Sequence, residues 1–258
     1  MYTVNGILKT GITIMARTAE TRLSEKAYAY LKKAIFEGRL PPGSPLSRRR
    51  LAEELDMSAV PVGDAILRLE GEGLIESRPQ AGTRVKIATP DEIHGNYVLR
   101  EALETHSARL FAESADDRFR RRLLAAAKKV DASYATLAGP GAYSGTRRAK
   151  AEYVHIAFHM LIAQASKVAV LISEIERSRV LLFNWIFNVS MEFERFPDRW
   201  HCYLAEALVN GSPAEAAEAM RRHVRYRQDE VIGRFRALAC EETIGSRMVR
   251  GPQRRNQR

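Results

Sequence analysis

Between residues 24 and 88 the hydrophobic pattern runs helix, helix, helix, hairpin, and few folds accept that order. SEKAYAYLKKAIFEG places Ala27, Tyr30, Leu31, Ala34 and Ile35 at helical spacing, and Gly38 ends the run. RLPPGSPL reads as a turn. Ser47 can then cap a second helix, RRRLAEEL, which stops around Asp56 and Met57. Ser58 can cap a third, AVPVGDAILRLEGEG, where Pro61 falls in the first turn and its missing N–H is tolerated. LIESRPQAGTRVKIA alternates, turns at PQAG and alternates again, as two short strands would. The expected unit is a winged helix-turn-helix over residues 23–89, with the helix-turn-helix at about 48–67.

After ATPDE the character changes. From Ile93 to about Ala239 the periodicity is helical throughout, and no segment reads as a strand. LAGPGAYSG, FPDRW and VNGSP interrupt it, giving about six helices in an all-α bundle over residues 90–240. Residues 1–22 read as a flexible extension and 241–258 as a basic, disordered tail. Met15 opens a stretch that looks like a natural start, which would make residues 1–14 an upstream addition. The fold class expected is mainly α, with an N-terminal winged helix-turn-helix followed by an all-α helical-bundle domain.

Composition narrows the function classes. With 45% hydrophobic and 28% charged residues, the chain is ordinary for a soluble globular protein. Its longest apolar candidate, RVLLFNWIFNVSM, is broken by two asparagines and falls short of the roughly 20 residues a membrane span needs. No signal-peptide cleavage site is evident near the start. Cys202 and Cys240 cannot build a disulfide framework, so a reducing cytoplasm is expected. The net charge of +10 favours a polyanionic partner. Its spread is even: 14 Lys and Arg against 10 Asp and Glu over residues 1–89 (+4), 22 against 19 over 90–240 (+3), and 5 against 2 in the tail (+3). Charge alone does not single out DNA.

The second domain carries two histidine pairs. His155 and His159, in EYVHIAFHML, are four residues apart and leave one face of a helix. Ile156 stands where a zinc protease needs its glutamate, so that chemistry is excluded. His201 and His223 flank the turn at Asn210–Gly211, where Ser212 and Glu215 form a capping box around Pro213. At about 1.5 Å per helical residue, each histidine lies roughly 14–17 Å from the turn. In an antiparallel hairpin they reach the same level, as a ligand pair must.

The stretch AIFEGRLPPGSPLSRRRLAEELDMSAVPVGDAILRLEGEGLIESRPQAGTRV resembles the DNA-binding domain of the GntR superfamily of bacterial transcription regulators almost position by position. The downstream helices resemble its FCD effector domain, and the two likenesses together cover roughly residues 24 to 236. The resemblance implies a homodimer on double-stranded operator DNA, the third helix in the major groove and the wing near the minor groove or backbone. It also implies a small organic-acid effector in the C-terminal domain. Family members begin the third helix with Ser or Thr and Arg, and carry a second Arg one turn later. This chain has Ala59 and Gly63 there, neither a donor. Ser58 remains as cap and contact, and Val60 could meet a thymine methyl. Arg48, Arg49 and Arg50 are expected on the DNA backbone, Arg49 matching the family's contact position, with Gly82, Thr83 and Arg84 in the wing.

Metal-bearing FCD domains use an Asp and three His. The resemblance assigns those histidines to His159, His201 and His223, with His155 in place of the Asp. One divalent transition metal per chain is implied, Zn first with Ni, Cu or Fe as alternatives, because imidazoles suit these ions better than Mg, Ca or Mn. Arg100, Asn184 and Asn188 are the candidate effector contacts, although Arg100 and Glu104 also read as a helical surface pair. The function expected is a metabolite-responsive transcription regulator, a repressor before an activator. The alternatives are a DNA-binding dimer with a purely structural metal and a metal-dependent hydrolase or lyase. For the last, Glu152 is the nearest carboxylate in sequence to His155, and no general base stands out.

Overall fold

The computed structural model describes residues 21–80, 82–137, 145–187, 196–226, 228–233 and 235–237. It divides into two compact units, the first holding the described residues up to Ile87 together with residues 183–187, the second the other described residues from Ala88 on.

In the first unit, α1 (residues 21–36) turns Ala27, Leu31, Ala34 and Ile35 inward. Gly38 stops it with φ of 72°, a left-handed conformation that side chains disfavour. The strand β1 (Pro45–Leu46) leads into α2 (Arg48–Glu54), where the Ser47 side chain accepts from the Arg50 N–H at 3.4 Å. Helix α3 (Ala59–Gly71) buries Val62, Ile66 and Leu69, one stripe at helical spacing. Its other face leaves Val60 56% and Leu67 59% exposed. Ser58 stands at the N-cap, but its side chain makes no capping bond. β2 (Ile75–Arg78) and β3 (Gly82–Val85) form the hairpin, with Ile75 opposite Val85 and Arg78 opposite Gly82.

RLPPGSPL was expected to be only a turn. Instead, β1 pairs antiparallel with β3, so the sheet has three strands in the order β1-β3-β2. Pairing over so long a separation leaves no mark in a two-residue strand.

The second unit is helical. Helix α4 (Pro90–Ser114) starts at a Thr89–Glu92 capping box with Pro90 in its first turn. α5 (Asp117–Ala135) is capped by Asp116, and α6 (Gly145–Ala165) and α7 (Ala169–Phe187) follow. α8 (Trp200–Asn210) and α9 (Pro213–Arg225) form a hairpin closed by the Ser212–Glu215 box. α4 packs on α9, and α5 packs on α6 and α8. Phe111, Leu123, Phe158, Ile162 and Ile175 fill the core. Arg120 ties two helix ends together: it donates to Ala112 O (3.1 Å) and Ala115 O (3.0 Å) of α4 and its cap, and to Val209 O of α8. These carbonyls belong to the set a helix C-terminus leaves without internal partners. Among the described residues, no helix is long and apolar enough to cross a membrane.

Candidate metal centre and nucleic-acid interface

His155 and His159 leave α6 on the face that meets α5 and α4, because Phe158 and Ile162 fix that side of the helix in the core. His201 starts the second position of α8, and His223 sits near the end of α9. The hairpin brings the last two to one level, with ring centroids 5.1 Å apart. Nε2 of His159 lies 3.0 Å from Nε2 of His155 and 3.2 Å from Nε2 of His223. The ligand atoms of these three residues all fall within 4.8 Å of one another.

On His155, His159 and His201, Nδ1 meets a group from outside the cluster. Glu104 Oε2 of α4 stands 2.6 Å from Nδ1 of His159. Asp131 Oδ1 of α5 stands 2.6 Å from Nδ1 of His201, and the same carboxylate accepts the backbone N–H groups of His201 (3.1 Å) and Cys202 (3.0 Å). Tyr134 donates its hydroxyl proton to Glu152 at 2.8 Å, so its oxygen accepts from Nδ1 of His155 at 2.9 Å. An acceptor at Nδ1 favours the tautomer that carries its proton there and its lone pair on Nε2. With that tautomer in both rings, the lone pairs of His155 and His159 would face each other across 3.0 Å, an arrangement a cation would stabilise.

The donor set passes a simple fit test. Nitrogen ligands about 2.0–2.1 Å from a tetrahedral zinc stand roughly 3.3–3.4 Å apart, close to the spacing of these Nε2 atoms. Carboxylate support of ligand histidines is also what metal sites use to fix the ring and its tautomer. His201 differs from the other three. Its ring is fully buried and 4.8 Å from that of His155, but its ligand atom is not among those gathered within 4.8 Å.

Burial pushes the Asp131 carboxyl up, but its bonds from His201 and Cys202 outweigh that and hold it below the ordinary value. Aromatic rings enclose the cluster: Phe196 stands edge-on to His201 at 5.3 Å, and Trp200 stacks on His223 at 5.7 Å. Beside His223, between α8 and α9, lies a cavity of about 280 Å³ lined by Trp200, Tyr203, Leu204, Ala207, Ala219 and Arg222.

Arg100 and Glu104 are not the surface pair that i,i+4 spacing suggested. They are 5% and 2% exposed, and Arg100 Nε donates to Glu104 Oε1 at 2.9 Å. Glu104, Asp131 and Tyr134 were not recognised as supports in the sequence, since they lie on α4 and α5, away from the helices of the histidines and at no fixed spacing from them. Asn188 lies outside the described residues, as does the side chain of Asn184.

On the first unit, Arg48, Arg49 and Arg50 are exposed in α2, where Arg49 Nε lies 3.4 Å from Glu53. In the wing, Gly82 is exposed with φ of 79°, Thr83 Oγ1 is 3.1 Å from Ser77 Oγ, and Arg84 Nε donates to Glu76 at 2.6 Å. Burial pushes the Glu76 carboxyl up, yet Arg84 and Arg78 outweigh this and hold it below the ordinary value.

Comparison with known proteins agrees with both halves. The pattern of bacterial regulatory proteins of the gntR family matches residues 23–85, and that of the FCD domain matches residues 96–226. A protein of Paenarthrobacter nicotinovorans named as a probable D-xylose utilization operon transcriptional repressor is 26% identical over 209 residues, covering 81% of this chain and 88% of its own. The Glc operon transcriptional activator of Escherichia coli K12 is 28% identical over 224 residues, 76% of this chain and 83% of its own. In structure, a GntR transcriptional regulator from Rhodococcus sp. RHA1 superposes with a TM-score of 0.65 at 20% identity, over 81% of this chain and 97% of that one. Escherichia coli McbR/YncC does so with 0.61 at 19%, over 84% and 98%.

Proposed function

Because the chain belongs to the GntR family of bacterial regulatory proteins and carries an FCD domain, we propose that it is a metabolite-responsive repressor whose hold on operator DNA is set by a small carboxylate bound near a metal in the helical domain. The family and the relatives regulate transcription and are not enzymes. What carries the finer reading is the convergence of His155, His159 and His223 through Nε2, with the far nitrogens of His155 and His159 held by a hydroxyl and a carboxylate.

In this reading residues 23–89 are the DNA-binding domain, 90–240 the effector domain, and two chains act as a cytoplasmic homodimer. Val60 and Ser58 of α3 face the major groove, Arg48, Arg49 and Arg50 the DNA near it, and Gly82, Thr83 and Arg84 the adjoining backbone. His155, His159 and His223 would hold one divalent transition metal, zinc by preference, with His201 the fourth ligand through Nε2 because Asp131 already holds its Nδ1. Such an ion would offer a carboxylate a Lewis-acidic partner. Glu104, Asp131 and Tyr134 keep the imidazoles turned toward the centre. An effector shifts DNA affinity only by as much as it prefers one arrangement of the dimer.

The test is binding of the full-length protein to its own upstream DNA across salt, with unrelated duplex as competitor. A specific complex that survives about 150–200 mM salt supports a sequence-reading head. Equal binding to both duplexes, lost as salt rises, would leave only backbone attraction. One observation favours a second reading, a purely structural metal: the cluster is supported from α4, α5, α6, α8 and α9, so it could pin the bundle. Chelation that melts the domain, with no carboxylate shifting DNA affinity, would select that reading.

A further inference from the structure

Among the described residues, the exposed face of α3 carries no free cation of its own. Ala59, Val60, Asp64 and Leu67 make up its outer side, and Arg68 is taken by Glu25 at 2.6 Å and by the Tyr28 ring at 3.7 Å. Four residues from both Ala59 and Leu67, Gly63 is buried at the edge of this face, and the guanidinium beside it belongs to α2. Arg48 Nη1 lies 3.9 Å from where a Cβ on Gly63 would stand, and among the described residues no other atom beyond the adjoining backbone of α3 lies within 4 Å of that point. Arg49, its neighbour, leans instead on Glu53. No ion pair engages Arg48 among the described residues.

We infer that Arg48 reads a base, lying beside the buried, side-chain-free backbone of Gly63 to bring to α3 the guanine-reading fork that α3 itself does not carry. The inference rests on the reading of α3 as the major-groove helix. Gly63 is part of the device, since a long side chain there would occupy the ground the guanidinium covers. An arginine fork donates two parallel bonds to O6 and N7 of guanine, whereas a phosphate contact carries no sequence information. Arg48 is therefore a specificity-determining residue rather than one more backbone contact.

The experiment selects preferred duplexes from a random pool with the full-length protein, then measures affinity for every single base-pair change. Wild type, Arg48→Ala, Arg48→Lys and Gly63→Leu are compared. The expected result is that Arg48→Ala abolishes discrimination at one G·C pair per half-site, a penalty of about 5- to 150-fold in wild type, while other positions keep theirs. Arg48→Lys should keep the salt dependence and lose most of that discrimination, and Gly63→Leu should lose it at the same position. Uniform weakening on every duplex, with the salt slope reduced by about 1, would mean a phosphate contact and overturn the inference. A wild-type protein that selects no sequence would overturn the DNA-reading function itself, a separately visible failure. Arg48 is exposed, and matched circular dichroism spectra would show that the variants fold.

Discussion

Replacing Glu104 by Gln changes one buried charge and almost no volume. Glu104 is 2% exposed, with Arg100 Nε at 2.9 Å on one oxygen and His159 Nδ1 at 2.6 Å on the other. An amide cannot satisfy both neighbours, because its NH2 must face either the guanidinium or the protonated Nδ1. Removing one partner of a buried ion pair costs about 3–5 kcal/mol. Gln keeps one acceptor, so roughly 2–3 kcal/mol of metal-independent destabilisation is expected. If the NH2 turns to His159, the imidazole must accept at Nδ1, and its proton moves to the Nε2 that faces His155 and His223. Loss of such support lowers metal affinity about 10- to 100-fold, which removes roughly 1.4–2.7 kcal/mol of zinc-dependent stabilisation at saturating zinc. Urea unfolding in chelator and in zinc separates the two effects, and competition with a chromophoric chelator gives the affinity directly. Zinc affinity within two-fold of wild type, in a variant measurably destabilised in chelator, would refute the tautomer argument.

Three further outcomes are expected. Arg120→Ala removes charge-assisted bonds to carbonyls of α4, its cap and α8, and should cost about 2–4 kcal/mol by denaturant midpoint, with no change in DNA specificity. Gly63→Ala meets only Arg48 at ordinary contact distance, so helix propensity should raise stability by up to about 1 kcal/mol in thermal unfolding. Glu76, held below its ordinary value by Arg84 and Arg78, stabilises the wing above the unfolded carboxyl range, and this is lost as pH falls through the lower folded value. The stability gap between wild type and Glu76→Gln should therefore narrow as pH falls below about 4.5.

Local chemistry was legible in the sequence. The Ser47 cap, the stop at Gly38 and the Ser212–Glu215 box each leave a signature within four residues, and the structure carries all three. Ser58 shows the limit, since it occupies the N-cap without a side-chain bond. The level of His201 with His223 followed from helix rise alone, and the rings do meet. What failed needed tertiary knowledge. β1 exists only through its pairing with β3, about 38 residues on. Arg100 and Glu104 looked solvated because i,i+4 spacing carries no information about burial, which here comes from α9 and α6 packing over α4. Asp131 and Tyr134 support the histidines from α5, at no fixed distance in sequence.

The most direct test of the central claim is the affinity of the full-length protein for its selected duplex as small carboxylic acids are titrated in, with zinc present and after chelation. The account predicts that at least one acid weakens binding by about 5- to 150-fold with zinc and leaves it unchanged without, the range typical of coupling between two sites. An acid effect that is equal with and without zinc would contradict it.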